Sequence, residues 1–328
     1  FKTSFIIQVI ILLRVKTEIE GYIAEIARNR FEEAKKIRKI FNEMNKDLPK
    51  LSNHLLVELP KPSLNNTKCK VVAVDGSSYQ EEYESVSISL AIAYIYTPNG
   101  HFESYLPKIS LIPPYYSSLT NSIIMKTVEY ELLFDVIVKM CEISDYPDLV
   151  LIDGTLTFPD VALEQYIERA PWIRDAFEEY KKAANELFNF VSKKKIPVFS
   201  VVKDTQSNKY FLSLYRSLKE GLDNGELLLK DLYELKEEIL KWGEGIYSRM
   251  SETSMIRNLL EGKELMRLKF VEVTRALRSP VPVKTLQGNI LGTYIKVLAE
   301  QKPFFIESPK STLDNLGKSL ELLISVCY

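Results

Sequence analysis

Two short apolar runs, each rich in β-branched residues and each ending in Asp-Gly, restrict the fold of this chain most strongly. The first reads VVAVDGSSY (71–79), and the second reads LVLIDGTLT (149–157). Apolar runs of this length are typical of strands that are buried on both faces of a sheet, because no polar face interrupts them. The sequence therefore predicts two buried strands that end in Asp75 and Asp153.

The elements around these strands follow an order that predicts the fold class. The predicted elements are, in chain order, a strand at 69–75, a strand at 86–96, a hairpin partner at 101–106, a helix at 121–143, a strand at 148–153, a helix at 159–195 and a strand at 196–203. A meander followed by alternating helices and strands is the RNase H-like layout. We therefore predict an α/β fold with an RNase H-like core, in which helices flank a mixed sheet.

The parts of the chain outside this core predict mainly helices. The spacing of apolar residues predicts a long N-terminal helix from Val15 to about Asp47, after an apolar segment at 5–13 that is too short to span a bilayer as a helix. That segment predicts a buried strand, the start of a helix or a surface for a partner. The predicted regions are 1–68 (apolar segment, helix and linker), 69–211 (core), 212–266 (helical insert) and 267–328 (return to the core, with a strand at 267–275 and helices at 291–300 and 313–326).

Composition narrows the kinds of site that the chain can build. With a net charge of −1, any surface that binds nucleic acid has to be a local patch. Two histidines and three widely separated cysteines make a zinc site or a histidine-based triad hard to assemble. A bound metal ion is therefore expected to have oxygen ligands, which favours Mn²⁺ or Mg²⁺. The unpaired cysteines predict a reducing, cytoplasmic compartment and no membrane association, and the residue usage favours a thermophilic source.

The two strand-end aspartates are the first candidates for chemistry. Aspartates at the carboxyl ends of neighbouring strands lie where open α/β folds place their ligands. If the two strands are neighbours, Asp75 and Asp153 converge, and their mutual repulsion favours a cation between them. The alternative interpretation is that each Asp-Gly pair is simply a turn.

The predicted helix between the two strands supplies a third carboxylate, Glu129. Its helical neighbours on the same face are apolar: Met125, Leu132, Leu133, Val136 and Met140. Glu131, in contrast, lies between Thr127 and Asp135 on a polar face. A carboxylate that faces a core is costly unless it is protonated, paired or bound to a metal. Glu129 is therefore predicted to bind a metal, with a structural ion pair or a rotated helix as alternatives.

Four basic residues are candidates for contacting phosphate groups. Lys203 ends the next predicted strand, where an ammonium group could neutralise phosphate charge during catalysis or hold the DNA backbone. Arg275, Arg278 and Lys284 flank a proline-containing strand pair and are predicted to bind DNA phosphates. The alternative is that these four residues are ordinary surface cations.

The motifs, taken in order, resemble the NurA family of DNA-end-processing nucleases. The matching stretches are VVAVDGSSY (71–79), TVEYELL (127–133), LVLIDGTL (149–156), VVKDTQS (201–207) and SETSMIRNLLEGKELMRLKFVEV (251–273). This resemblance implies an RNase H-like fold with a helical insert and a ring-like homodimer. It also implies Mn²⁺-dependent 5′→3′ exonuclease and single-strand endonuclease activity in end resection with the HerA ATPase. Asp75, Glu129 and Asp153 are then the metal ligands.

One departure from the family pattern keeps other functions open. NurA proteins typically carry a histidine near the C-terminus, whereas this chain has none after His101, and the corresponding region reads KPFFIESPKST (302–312). Glu307 is the candidate oxygen ligand in its place. A weakly active or inactive paralogue that binds DNA or partner proteins is one alternative. An unrelated RNase H-like phosphotransferase is another, although no glycine-rich nucleotide-binding segment supports it.

Overall fold

One ten-stranded mixed sheet runs through the computed structural model of the chain. The structure describes residues 22–36, 38–39, 42–43, 45–62, 69–97, 104–115, 117–156, 170–202, 208–247, 252–273, 289–313 and 316–327. The described strands are β1 (Leu56–Glu58), β2 (Val71–Glu82), β3 (Ser87–Tyr96), β4 (Ser104–Ile112), β5 (Leu149–Asp153), β6 (Val198–Val202), β7 (Met266–Leu268), β8 (Val271–Glu272), β9 (Ile290–Lys296) and β10 (Phe304–Pro309).

The strand order confirms the predicted mixed sheet and RNase H-like core. The order is β1-β7-β9-β10-β6-β5-β2-β3-β4, and β8 pairs with β9 outside this path. Strands β2, β3 and β4 form an antiparallel meander, while β5 pairs in parallel with both β2 and β6. The two runs that end in Asp-Gly are therefore adjacent central strands.

Helices cover the sheet on both faces. They are α1 (22–36), α2 (Leu48–Leu55), α3 (Ser117–Glu142), α4 (Pro171–Lys194), α5 (Lys209–Glu220), α6 (Leu229–Glu234), α7 (Lys236–Tyr247), α8 (Glu252–Leu259) and α9 (Leu316–Cys327), with 3₁₀ turns at Asn45–Asp47 and Lys310–Thr312. The run from α5 to α8 confirms the helical character predicted for the insert. No helix in the described part of the chain is both long and apolar enough to cross a membrane.

Residue size explains how the main helical layer packs. Along β3, small residues at alternate positions, Ser87, Ser89, Ala91 and Ala93, are fully buried beneath α3. Small side chains let the helix approach the sheet closely, and α4 packs against α3 on its outer side. On the other face, α9 places Leu320, Leu323 and Ile324 against Val71, Leu149 and Phe199.

One expectation about the fold needs correction, and others stay open. The predicted helix at 291–300 is wrong, because Ile290–Lys296 forms strand β9, in which every residue is buried. A strand that is buried on both faces has no polar alternation, so periodicity could not separate it from a buried helix. The apolar segment at 5–13 and the first part of the predicted N-terminal helix lie outside the described residues. The four region boundaries stay predictions.

Candidate active site

Asp75 and Asp153 lie at the same level of two adjacent parallel strands. The last residue pair between β2 and β5 is Val74 with Ile152, and the two aspartates follow directly after it. Strand alternation places both side chains on the face that Val71 and Leu149 share, opposite to α3. A cleft of about 290 Å³ opens there, lined by Ala73, Val74, Asp75, Tyr94, Tyr96, Leu151, Ile152, Asp153 and Val201. The predicted convergence of the two strand ends is therefore present.

Glu129 reaches the same sheet region from α3, on the other side of β2. Its side chain is 1% exposed, as the apolar-face argument predicted. Its carboxylate lies against the backbone of Gly76, where a Cβ atom would stand 2.2 Å from Glu129 Oε1. Glycine at residue 76 therefore allows this close approach of Glu129 and does not form a turn, because β2 continues to Glu82. At the second Asp-Gly pair, Gly154 has a φ of +85° and does form a turn.

Lys126 supplies the positive charge in this region, and the sequence analysis missed it. Its Nζ donates to Glu129 Oε2 at 2.5 Å and to the backbone oxygen of Asp153 at 2.7 Å. Burial raises the pKa of Glu129 to about 7; the Lys126 ammonium opposes that rise, and the charges of Asp75 and Asp153 add to it. The spacing of three residues between Lys126 and Glu129 was the signal that could have revealed this pair.

The three predicted carboxylates are neighbours, but they do not share one coordination point in this arrangement. Among the described residues, no group of three or more His, Cys, Asp or Glu side chains is close enough together to hold a metal ion. The donor set is nevertheless all oxygen, and the carboxylates repel one another across the sheet edge. Such a set suits a hard divalent cation once the Lys126 ammonium moves away from Glu129.

Glu307 has a different role from the one suggested by the missing histidine. It is fully buried on β10, and its Oε2 accepts hydrogen bonds from Thr155 Oγ1 at 2.8 Å and from the backbone N–H of Leu156 at 2.7 Å. Lys209 Nζ donates to Glu307 Oε1 at 2.7 Å and to Thr155 Oγ1 at 2.6 Å. Both carboxylate oxygens therefore already have protein donors, and Glu307 anchors the turn that follows Asp153.

The four predicted phosphate-binding residues cannot be placed relative to this site. Lys203, Arg275, Arg278 and Lys284 all lie outside the described residues. Their roles stay predictions, and the described basic residue beside the carboxylates is Lys126.

Comparisons with known proteins give the chain its family. The NurA crystal structure from Sulfolobus solfataricus is 13% identical over 91% of this chain and 85% of its own, with a TM-score of 0.50. A NurA structure bound to dAMP and manganese is 16% identical over 93% of this chain and 89% of its own, with a TM-score of 0.45. No protein with a curated function matches the chain. The family model for the NurA domain matches residues 69–279, which is more than half of the chain, so the chain belongs to the NurA family.

Proposed function

We propose that this chain is a divalent-metal-dependent DNA nuclease whose site is formed by Asp75, Asp153 and Glu129. The observation that carries the proposal is that two adjacent strand-end aspartates lie close enough to a buried glutamate to help raise its pKa, which is about 7. A buried acid beside two like charges is costly to keep without a function. Membership of the NurA family supports DNA as the substrate.

Each described residue has a distinct task in this proposal. Asp75, Asp153 and Glu129 hold Mn²⁺ or Mg²⁺, which when bound supplies water activation and charge neutralisation at the phosphate. Lys126 neutralises Glu129 in the metal-free protein. When a metal ion takes over that role, the Lys126 ammonium can contact a phosphate oxygen from the edge of the site. Glu307 and Lys209 keep the turn at Thr155 fixed, which holds the end of β5 in position.

Family membership also motivates the wider parts of the proposal. We infer 5′→3′ exonuclease and single-strand endonuclease activity, a homodimer, and a role in DNA end resection and double-strand-break repair with a HerA-type ATPase. Lys203, Arg275, Arg278 and Lys284 remain the proposed contacts to DNA phosphates.

A second candidate function is a non-catalytic NurA paralogue that binds DNA or partner proteins. It is favoured by one observation, namely that Lys126 already satisfies Glu129 while the described acidic side chains do not converge on one point. A permanently internal counter-ion would leave the site without a metal.

Cleavage of labelled single- and double-stranded DNA by the full chain, in Mn²⁺, Mg²⁺ or EDTA, separates the two functions. Cleavage by the Asp75→Asn variant and by the Asp153→Asn variant should each fall by about 100-fold or more. A neutral amide binds a divalent cation much more weakly than a carboxylate does, and the loss of one negative charge makes the whole site less attractive to the metal. Asp135→Asn is the matched control, since Asp135 is exposed on α3, away from the site. DNA binding without cleavage by folded wild-type protein would support the non-catalytic paralogue.

A further inference from the structure

The outer face of the β2–β3–β4 meander is not covered by any described helix and is rich in large apolar side chains. Helix α9 covers this side of the sheet only from β2 towards β9 and β10. The side chains that the meander leaves exposed include Tyr79, Ile92, Tyr94, Tyr96, Ile109 and Leu111, and Ile109 and Leu111 are 73% and 72% exposed. An exposed surface of this kind normally has a binding partner.

Two of these residues lie at the candidate active site. Tyr94 is the direct cross-strand partner of Asp75, and Tyr96 is the partner of Ala73. Both rings line the cleft that contains Asp75 and Asp153, and they are 45% and 54% exposed. Since alternate residues of a strand are roughly 7 Å apart on one face, each ring has room for one planar ligand.

The charge of this face indicates what kind of ligand it recognises. On the described strands β2 to β5, the residues that share this face carry acidic charge at Asp75, Glu81 and Asp153 and no lysine or arginine. Apart from a metal ion held by the carboxylates, these described strands therefore provide no positive charge on this face for a phosphate backbone. What it presents beside the carboxylates is aromatic surface, and bases stack on tyrosine rings whatever their sequence.

We propose that Tyr94 and Tyr96 stack unpaired nucleobases and thereby select a single-stranded segment of DNA for the site at Asp75 and Asp153. The inference rests on the proposed nuclease function and deepens it by naming the substrate form. Bases in a duplex are stacked on one another and are not available to these rings, so a duplex end has to open before its strand enters the cleft. The two tyrosines are positioning and selectivity residues; the carboxylates perform the chemistry.

Binding of two oligonucleotides that differ only in their bases tests this directly. One probe is a fluorescent single strand, and the other is an abasic strand of the same length with identical sugars and phosphates. Fluorescence anisotropy is measured with the full chain in Ca²⁺, with gel analysis to show that the probes stay intact. Wild-type protein should prefer the base-containing strand by about 10-fold, the scale expected of base–aromatic stacking.

The variants then assign that preference to the two rings. Tyr94→Ala and Tyr96→Ala should remove most of the preference, and Tyr94→Phe and Tyr96→Phe should retain it, because phenylalanine still stacks. Tyr233→Ala is the matched control, since Tyr233 is an equally exposed tyrosine on α6. Circular dichroism of each variant checks the fold, and the phenylalanine variants keep the test valid if an alanine variant misfolds.

Two results would overturn the inference. One is an unchanged base preference in both alanine variants. The other is a change of oligomeric state in those variants, measured by light scattering, with base preference intact, which would make this face a contact between two copies of the chain. Failure of the nuclease proposal is distinguishable, because the binding assay needs no cleavage. Cleavage that depends on Asp75 while base preference is absent would remove the inference and leave the nuclease.

Discussion

Two buried glutamates in different parts of the molecule show which surroundings indicate a functional site. Burial raises the pKa of both Glu129, at the sheet edge, and Glu252, at the start of α8, to about 7. Glu252 accepts hydrogen bonds from the backbone N–H groups of Tyr210 and Phe211 and from the Tyr294 hydroxyl. Those donors are fixed in the core, so Glu252 acts as a structural cap for the first turn of α5.

Glu129 differs in the kind of donor that pairs with it and in the charge of its neighbours. Its hydrogen-bond donor among the described residues is the long side chain of Lys126, and its charged neighbours Asp75 and Asp153 repel it. A raised pKa alone therefore does not mark a site. The informative combination is a buried acid whose partner can leave and whose neighbours favour a cation.

Removal of the Glu252 carboxylate should have the largest effect on stability. Glu252→Ala leaves two backbone N–H groups and one hydroxyl without acceptors in the core, so we expect the free energy of unfolding to fall by about 4 kcal/mol. Urea denaturation measures this change. Glu261→Ala is the control, because Glu261 is exposed beyond the end of α8. Equal stability of the two variants would contradict the structural role of Glu252.

Glu129→Gln should have the opposite profile, with a large loss of activity and little loss of stability. We expect cleavage to fall by about 100-fold, which corresponds to about 3 kcal/mol of transition-state stabilisation. The free energy of unfolding should change by less than about 1 kcal/mol, because glutamine keeps an oxygen for Lys126 and relieves the repulsion from the two aspartates. Cleavage assays are paired with urea denaturation. If Glu129→Gln lost stability but cleaved DNA normally, Glu129 would be a structural residue like Glu252.

The pH dependence of stability sharpens the comparison further. The folded-state pKa of Glu252, about 7, lies above the value of 4.5 expected for the unfolded chain, so the folded state binds the extra proton. The stabilisation from this group is complete below pH 4.5 and is lost as the pH rises through 7. We expect Glu252 alone to contribute a loss of about 2 kcal/mol between pH 5 and pH 7, measured by urea denaturation, and Glu129 to contribute separately because its pKa is raised to the same value. The loss should be smaller in Glu252→Gln, and an identical slope in that variant would show that Glu252 does not titrate in this range.

The smallest effect is expected from the anchor behind the site. Thr155→Val removes two hydrogen bonds of the Thr155 hydroxyl, one donated to Glu307 and one accepted from Lys209, and leaves in place those that Leu156 and Lys209 donate to Glu307. The free energy of unfolding should fall by about 1 kcal/mol, and cleavage should fall only a few-fold. A loss of activity as large as that of Glu129→Gln would make Thr155 part of the catalytic machinery.

Local sequence patterns predicted the parts of the site that depend on one element at a time. The apolar runs before Asp75 and Asp153 predicted two buried strands, and helical spacing predicted that Glu129 lies on the apolar face of its helix. These inferences succeeded because strand and helix periodicities fix which way a side chain points.

Features that depend on two distant elements could not be predicted in this way. Strand β9 was mistaken for a helix because pairing with β10 and β7, and not its own sequence, decides its conformation. The anchoring of Thr155 by Glu307 joins residues about 150 positions apart, which no local pattern reveals. The alternation of small and large residues in SISLAIAYIY (87–96), in contrast, is a local signal that could have separated a covered face from the tyrosine face.

The contact between Glu129 and Gly76 makes the geometry of the site depend on the position of α3 on the sheet. Because residue 76 has no side chain, the Glu129 side chain packs directly on the main chain of the residue next to Asp75, so the position of α3 limits where the Glu129 carboxylate can lie. A slide of the helix along β2 therefore changes the separation of the two carboxylates directly. Truncation of the buried residues by which α3 packs in the core, such as Val128 and Leu133, should therefore alter cleavage even in molecules that remain fully folded.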